Sequence, residues 1–233
     1  RALGIWNFRK SNEIWVVNKS LSKGCFFAKK DSKVKSGIRI FIPDLNTPIL
    51  EVPTAYDFKF WKKKKIKTPK TVLTVANIND QRTFERKGIP LFLFLAEKLP
   101  DFEFTLAGMN YQLKNYFFPS NVQIIGKQNR QQLKLLYGVN EYYFQGSKIE
   151  GLPNVLCEAM LCECIPIGNN VFGIPEAIGD TGIIFEGSND IKKVVKLLND
   201  NKRKDGSKAR ERIIKKFSKN RREAQFKRVL KIS

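Results

Sequence analysis

The sequence contains no histidine. This absence excludes catalysis by an imidazole base, a metal site built on histidine ligands and a pH switch based on histidine. Any chemistry in this chain must therefore use carboxylates, basic side chains and backbone dipoles.

Long apolar runs are also absent. The most apolar stretch, residues 89–96, is much shorter than the roughly 20 residues that a membrane-spanning helix needs, so it predicts a buried core helix. No secretory signal peptide is visible in the sequence. We therefore expect a cytoplasmic protein.

Cysteine is scarce, with four in 233 residues. Cys157, Cys162 and Cys164 fall on or just after one predicted helix, in apolar surroundings. Their spacing is poor for zinc and a fourth ligand is missing, so the pattern favours buried thiols over a metal site. Free thiols are typical of a reduced, intracellular compartment.

Acidic residues are outnumbered by basic ones, 22 against 43, which gives a net charge of +21. Lysines are dense at residues 62–65 and from residue 192 to the C-terminus. Such a surface favours polyanions such as nucleotide phosphates, the headgroups of an anionic membrane or nucleic acid. A solvated surface of a lysine-rich protein explains the charge equally well. Nucleic acid is the least favoured partner, because residues 202–231 carry few aromatics and no recognition motif.

The chain is long enough for one sizeable domain. From Thr71 onward, strand and helix patterns alternate, which predicts an α/β fold with a parallel sheet covered by helices. Predicted strands lie at residues 71–76, 103–107, 122–125, 141–144, 165–168 and 182–185. Predicted helices lie at residues 88–98, 110–117, 128–137, 153–162, 174–178, 189–199, 205–217 and 219–231. Ligands of such sheets bind beyond the carboxyl ends of the strands.

The residues before Thr71 have a different character. Residues 1–55 read as the tail of a preceding domain, with strands at 13–17 and 38–42 joined by a helix or loop around 21–30. Residues 56–70 read as a basic, flexible linker. Residues 71–233 then form the main domain and end in basic helices.

The most informative segment is residues 150–160. Glu150 and Glu158 flank a Gly-Leu-Pro turn that opens a helix, with Pro153 suited to the first helical position. The amides of Asn154 and its neighbours then lack intrahelical partners and can face an anion. Two carboxylates around such amides suit a phosphorylated sugar. A helix with a proline start and one exposed glutamate is an equally good interpretation of this segment alone.

Further segments surround this motif in a fixed order. They are residues 71–76, 86–88, 99–108, 165–168 and 173–185. Together with residues 150–160 they resemble the C-terminal, donor-binding domain of the family 4 (group 1) retaining glycosyltransferases, which have the GT-B architecture. The resemblance covers roughly residues 52–230 and implies a Rossmann-like, doubly wound parallel sheet. Residues 52–57 resemble the family's crossover between domains, with Thr54 and Ala55 where Asn-Gly is usual.

The resemblance implies a function as well as a fold. It implies transfer of a hexose from a nucleoside diphosphate sugar to a hydroxyl acceptor, with retention at the anomeric carbon. No Asp-x-Asp motif is present, which agrees with a metal-independent site that needs no cofactor beyond its donor. A complete enzyme of this family has two Rossmann-like domains. We therefore expect a fragment or one half of a split enzyme.

The resemblance also implies which partners this chain has. The acceptor, a glycan or a lipid-linked glycan, would bind the N-terminal domain, which is mostly missing. The basic surface would then touch an anionic membrane, because many relatives act on lipid-linked acceptors. The alternative function is a non-catalytic module that binds nucleotide sugars or phosphates, or a subunit of a split glycosyltransferase.

The resemblance assigns the diphosphate to basic residues after the first strand. Lys87 stands at the Lys-Gly position that neutralises the diphosphate, beside the free amides near Gly88. The family usually places a Gly-Arg pair after this strand, but here the dipeptide is Ala76-Asn77. Arg82, on a long loop at residues 79–86, is the expected substitute, and Arg86 is the second candidate.

The resemblance assigns the sugars to the two carboxylates. Glu150 would lie near the donor sugar and its anomeric centre, and Glu158 would accept hydrogen bonds from the ribose. Weaker candidates are Ser147 on the same loop and Glu176, which could equally cap its own helix. Further main-chain or side-chain contacts to the donor are expected from Gly151, Leu152, Pro153, Asn154, Gly108 and, near the base, Lys127.

Overall fold

A computed structural model describes residues 2–23, 25–26, 35–63, 66–111, 116–200 and 205–230. Its helices are α1 Ala2–Lys10, α2 Lys19–Lys23, α3 Ile38–Phe41, α4 Gln81–Arg86, α5 Ile89–Lys98, α6 Arg130–Val139, α7 Asn154–Leu161, α8 Ile174–Ile178, α9 Gly187–Asn199, α10 Gly206–Lys216 and α11 Lys219–Leu230. Its strands are β1 Ile14–Val16, β2 Cys25–Phe26, β3 Lys35–Ser36, β4 Ile49–Glu51, β5 Thr68–Ile78, β6 Glu103–Met109, β7 Val122–Ile125, β8 Asn140–Gln145, β9 Ile165–Asn169 and β10 Ile183–Phe185.

The main sheet has six strands in the order β10-β9-β8-β5-β6-β7, and all neighbours run parallel. The chain first builds outward from β5 to β7, then returns to the other side of β5 and builds outward to β10. The strand order therefore changes direction between β5 and β8, which is where a doubly wound sheet binds its ligands. The predicted fold class and all six predicted strands are confirmed.

Two apolar clusters cover the two faces of the sheet. Alternate residues of one strand serve different faces, because Val72 joins one cluster and Leu73 the other. On the first face, Phe92 of α5 packs its ring 5.2 Å from that of Phe104 and 5.7 Å from that of Phe144. Helices α7, α8 and α10 supply the second cluster. The sheet is therefore packed on both of its faces, as is usual for parallel sheets.

The N-terminal segment is a smaller unit. Strand β1 pairs in parallel with β4, from Ile14 opposite Ile49 to Val16 opposite Glu51. A cluster of four buried residues supports this pair, namely Ile14, Val16, Ile42 and Leu45. The strand predicted at residues 13–17 is thus found, whereas helix α1 and strand β4 were not predicted.

The strand predicted at residues 38–42 is wrong, because these residues form helix α3. Its sequence alternates like a strand, but Ile38 and Ile42 are also four residues apart, which is the spacing of one helix face. Both pack on the small cluster, while Phe41 between them is exposed. Gly37 turns the chain into the helix with a φ of 122°, a conformation that favours glycine.

Two other stretches differ from the sequence expectation. Residues 81–86, expected to be part of a long loop, form helix α4, which Asp80 caps by accepting a hydrogen bond from the Thr83 amide at 2.6 Å. The predicted helix at 110–117 lies partly outside the described residues, and its described residues 110–111 and 116–117 are not helical.

The segment before the sheet is well packed where the structure describes it. Trp61 is buried, and the Asp57 carboxylate accepts hydrogen bonds from the backbone amides of Lys59 and Phe60. Thr68–Lys70 belong to β5. Among the described residues, no helix is both long and apolar enough to cross a bilayer.

The C-terminal helix α11 returns to the N-terminal segment. Gln225 donates to the carbonyl of Glu51 at 3.3 Å, and Arg222 donates to that of Pro53 at 3.1 Å. The Phe226 ring lies 5.0 Å from that of Trp15. Helix α11 therefore connects the two parts of the chain.

Candidate functional site

Two loops meet at the point where the strand order changes direction. One follows β5 and leads through α4 to Gly88, and the other follows β8 from Gly146 onward. A Cβ added to Gly88 would lie 2.0 Å from the carbonyl oxygen of Gly146, and Gly88 has a φ of 72°. Lys148 also donates its amide to the carbonyl of Arg86 at 2.8 Å. The loops therefore touch backbone to backbone, which requires glycine at position 88.

This close approach brings together Lys87 and Glu150, two residues that the sequence analysis selected from separate motifs. The ammonium of Lys87 donates to Oε1 of Glu150, forming an ion pair between residues 63 positions apart. The side chains are only 20% and 16% exposed. Lys87 caps the end of α4, and Gly88 begins α5, so the cation lies beside a helix start.

A line of hydrogen bonds approaches the same carboxylate from inside the sheet. Ser147 donates its hydroxyl to Oε1 of Glu150 at 3.0 Å, and Gln145 donates its side-chain amide to Oγ of Ser147 at 2.8 Å. Tyr143 donates its hydroxyl to Oε1 of Gln145 at 3.3 Å. Tyr143, Gln145 and Ser147 are all buried. Sequence analysis did not identify Gln145, because a single glutamine at the end of a strand carries no pattern.

The Glu150 loop is also fixed on its other side. Asn169, at the end of β9, donates its side-chain amide to the carbonyl of Ser147 at 3.1 Å. The amide of Gly173, which begins α8, donates to the carbonyl of Gly151 at 2.9 Å. A Cβ on Gly173 would lie 2.2 Å from that carbonyl and 2.9 Å from Nδ2 of Asn18, which belongs to the N-terminal segment. Gly151 thus lies where α8 and the N-terminal segment meet.

Helix α7 begins one residue later than predicted. Pro153 is its N-cap, with extended backbone angles, and Asn154 is the first helical residue. No side chain caps this helix start, so the first-turn amides are open to a ligand. Asn154 is exposed and its Oδ1 accepts a hydrogen bond from the Tyr56 hydroxyl at 2.9 Å, while Leu152 is buried beneath the turn.

Glu158 lies in the second turn of α7, in a different environment from Glu150. Burial raises its pKa to about 7, and the nearby guanidinium of Arg130 and hydroxyl of Tyr137 lower it by smaller amounts. Tyr137 makes no hydrogen bond of good geometry within the described part of the chain. The charges of Glu158 and Glu150 both raise the pKa of the buried Tyr143. Both carboxylates therefore act electrostatically on this tyrosine, whose pKa is raised mainly by its burial.

Arg130 was not predicted from the sequence. It is the first residue of α6, and its guanidinium stacks over the rings of Phe60 and Trp61 at 4.2 and 5.3 Å. Its neighbour Asn129 forms a capping box with Gln132, which marks a helix start in the sequence. Nothing in the sequence placed Phe60 or Glu158 near it.

The remaining predicted residues lie on α4, on the loop after β7, in β6 and in α8. Arg82 is exposed on α4, one turn before the half-buried Arg86, and Lys127 is exposed on the loop between β7 and α6. Gly108 is buried inside β6, where a Cβ would lie 2.4 Å from the carbonyl of Ala76, so it allows neighbouring strands to approach. Glu176 forms an ion pair with Lys216, with nitrogen and oxygen 3.0 Å apart.

The cysteines on and after α7 are free, buried thiols. Cys157, Cys162 and Cys164 are free and buried, as predicted. Burial raises the pKa of Cys157 to about 12, which keeps this thiol protonated and unreactive. Within the described residues, no three histidine, cysteine, aspartate or glutamate side chains form a group that could hold a metal ion.

The chain matches a known protein family over most of its length. The family described as "Glycosyl transferases group 1" matches residues 56–220. This chain belongs to the group 1 glycosyltransferases. The predicted family is therefore confirmed, and the match begins at Tyr56 and includes every element of the main sheet. A comparison with curated proteins gave no significant match.

Solved structures share the fold at low sequence identity. A sucrose-phosphate synthase from Thermosynechococcus elongatus gives a TM-score of 0.76 at 15% identity, covering 99% of this chain and 60% of that protein. Anabaena HepE in complex with UDP-glucose gives 0.73 at 11% identity, covering 99% and 66%. A mutant of S. aureus TarM in complex with Fondaparinux, alpha-GlcNAc-glycerol and UDP gives 0.70 at 19% identity, covering 98% and 45%. This group 1 glycosyltransferase chain thus spans about half to two thirds of the length of these proteins.

Proposed function

We propose that this chain is chiefly the donor-binding half of a retaining glycosyltransferase. In this proposal it binds a nucleoside diphosphate sugar, and the hexose passes to a hydroxyl acceptor with retention at the anomeric carbon. The observation that carries the proposal is the meeting of Lys87 and Glu150 at the point where the strand order reverses, beside the open first turn of α7. A cation, a carboxylate and free amides are the groups that a sugar diphosphate needs.

The diphosphate would take the place of Glu150 as the partner of Lys87. Charge that develops on the leaving phosphate would be stabilised by this ammonium and by the amides of Asn154 and its neighbours. Arg82 and Arg86 lie one helical turn apart on α4, so they can add positive charge on the same side. Either can supply the charge that Asn77, which is exposed after Ala76, lacks.

The carboxylates would hold the two sugars. Glu150, released from Lys87, would accept hydrogen bonds from the hexose or stabilise positive charge near its anomeric carbon. Glu158 would accept hydrogen bonds from the ribose, as acidic residues do in dinucleotide-binding folds. All of these roles use side chains and amides, and the proposal therefore assigns no metal.

Two structural relatives support a nucleotide sugar as the ligand. HepE was solved with UDP-glucose and TarM with UDP. The acceptor would bind on the N-terminal side of the donor site. The basic helices α10 and α11 would favour an anionic membrane surface, and therefore a lipid-linked glycan as acceptor.

Donor binding can be tested by thermal unfolding with UDP-, GDP- and ADP-sugars. A ligand present at 100 times its dissociation constant stabilises the folded state by about 2.7 kcal/mol, so the correct donor should clearly raise the unfolding temperature. Lys87→Met should abolish most of this rise, whereas Lys10→Met, the same change on the exposed face of α1, should preserve it. Absence of stabilisation by any donor would contradict the proposal, and full stabilisation of Lys87→Met would contradict the phosphate assignment.

The second candidate is a non-catalytic module that binds nucleotide sugars or is a subunit of a split enzyme. Asn77 in the place of the family's arginine favours it, because asparagine brings no charge to the diphosphate. Turnover of the bound donor, measured with and without a protein that supplies the acceptor side, separates the two candidates. Donor binding without turnover in both assays would favour the module.

A further inference from the structure

The buried end of β8 carries a polar side chain that the proposed roles do not use. Gln145 is 3% exposed and lies at the end of a strand that is buried along its whole length. Burying an amide is costly unless its hydrogen-bonding groups find partners. Here the amide oxygen accepts from Tyr143, and the amide nitrogen donates to Ser147. The glutamine therefore has a hydrogen-bond partner on both its amide oxygen and its amide nitrogen.

The hydrogen bonds that pass through Gln145 all point the same way. Tyr143 donates to Gln145, Gln145 donates to Ser147, and Ser147 donates to Glu150. Ser147 gives its one hydroxyl proton to Glu150, so its oxygen acts as an acceptor toward the second polar group that it contacts. Gln145 is that group. Successive bonds of one direction also strengthen each other in a buried setting.

This series of hydrogen bonds begins in the rigid sheet and ends on a loop. Tyr143 and Gln145 belong to β8, which is paired on both sides within the sheet. Glu150 belongs to the loop, and both Ser147 and Lys87 donate to the same oxygen, Oε1. When a diphosphate attracts Lys87 away, Ser147 remains as the donor that holds this oxygen.

We propose that Gln145 is a positioning residue, which acts through Ser147 to hold Oε1 of Glu150 and leave Oε2 for the donor sugar. The inference rests on the proposed function, because it takes Glu150 as the carboxylate that faces the hexose. It gives Ser147 a different role from the direct donor contact expected from the sequence. It also predicts that Gln145 affects recognition of the sugar and not of the nucleotide.

A first experiment needs no ligand. In the full chain, the NMR signal of the Gln145 side-chain amide is identified by its loss in Gln145→Met. It should move in Glu150→Gln and in Ser147→Ala, because both changes alter the groups at the end of the line. It should stay in place in Glu103→Gln, a matched change at an exposed position that starts β6. If the chemical shift of the Gln145 side-chain amide does not change in Glu150→Gln, the inference is wrong.

A second experiment separates the sugar from the nucleotide. Affinities are measured for UDP with UDP-glucose, GDP with GDP-mannose and ADP with ADP-glucose, and the pair that binds the wild type best is used. Gln145→Met should weaken the sugar nucleotide about tenfold and change the free nucleotide by less than about twofold, since a lost contact to the sugar affects only the former. Gln123→Met, the same substitution at an exposed position of β7, should change neither.

The variant Gln145→Glu adds a readout that a purely structural role would not give. A carboxylate at this position accepts the Ser147 proton and competes with Glu150, whereas its protonated form can donate to Ser147 as the amide does. Binding of the sugar nucleotide by Gln145→Glu should therefore recover as the pH is lowered, and Gln145→Met should show no recovery.

The outcomes distinguish the inference from the proposed function. Equal losses for nucleotide and sugar nucleotide in Gln145→Met, or no loss for either, would overturn the positioning role. If no pair binds the wild type, the proposed function fails, and the movement of the Gln145 amide signal still decides whether the line of hydrogen bonds is coupled to Glu150.

Discussion

The main sheet and the N-terminal segment solve the problem of burial in different ways. The sheet is covered on both faces by two large apolar clusters, and its aromatic residues pack ring against ring. The N-terminal segment pairs β1 with β4 beside a cluster of only four buried residues, and it exposes Trp6, Trp15 and Phe41. Sequence patterns predicted the first region well and the second poorly. Where little surface is buried, packing cannot force one of several compatible local structures.

The largest expected effect tests this difference in burial directly. Phe92→Ala removes a fully buried ring between Phe104 and Phe144, so we expect the free energy of unfolding to fall by about 3–5 kcal/mol. Phe41→Ala, in the N-terminal segment, removes an exposed ring and should cost less than about 1 kcal/mol. Denaturant unfolding monitored by fluorescence measures both, and equal losses would remove the distinction between the two regions.

The next effect compares two glycines. Gly88→Ala places a Cβ against the Gly146 carbonyl at a φ that alanine rarely adopts, so we expect a loss of about 2–4 kcal/mol. Gly4→Ala in α1 meets nothing within 4 Å, so it should instead stabilise the protein by about 0.5–1 kcal/mol through its helix propensity. Unfolding by denaturant measures both changes. A tolerated alanine at position 88 would show that the two loops can separate.

The third effect is a pH dependence that arises at Glu158 in the main domain. The folded protein holds the Glu158 proton up to its pKa of about 7, whereas the usual value is 4.5. The contribution of this group to stability is therefore complete below pH 4.5 and is lost as the pH rises to about 7, with a total of the order of 1–3 kcal/mol. Glu158→Gln should remove this decline. Parallel pH profiles for the variant and the wild type, from unfolding at several pH values, would contradict the raised pKa.

The smallest effect on stability is expected at the site itself. Lys87 and Glu150 are partly exposed, and such ion pairs contribute little, so a double-mutant cycle with Lys87→Met and Glu150→Gln should give a coupling of about 1 kcal/mol or less. The same variants should strongly weaken donor binding. A coupling well above this value would indicate that the pair serves the fold rather than the donor.

The sequence predicted the sheet because its signals are repeated along the chain. Strand β7 begins and ends at the predicted residues, and α8 does as well. Residues 38–42 were misassigned because five residues satisfy both a strand and a helix pattern. Helix α4 was missed although Asp80, three residues before Thr83, is a helix-start signal, because the resemblance led us to interpret residues 79–86 as a long loop.

At the candidate site, the sequence named the residues but not their connections. Lys87 and Glu150 were selected from separate motifs, and only the close approach of Gly88 to Gly146 puts them in contact. Gln145 was missed because a single glutamine at the end of a strand has no sequence motif. Arg130 was missed because Phe60 and Glu158, which it approaches, lie elsewhere in the chain. The first-turn amides of α7 follow directly from Pro153 and the helix that it begins.

The return of α11 to the N-terminal segment has a mechanical consequence. Through Gln225, Arg222 and Phe226, the last described helix holds the strand pair and the stretch that leads from it into the sheet. The chain therefore passes from the N-terminal segment into the main sheet and returns to that segment through α11, so it crosses between the two parts twice. Any hinge motion between the two parts must either carry α11 along with the smaller part or break the contact between the Trp15 and Phe226 rings.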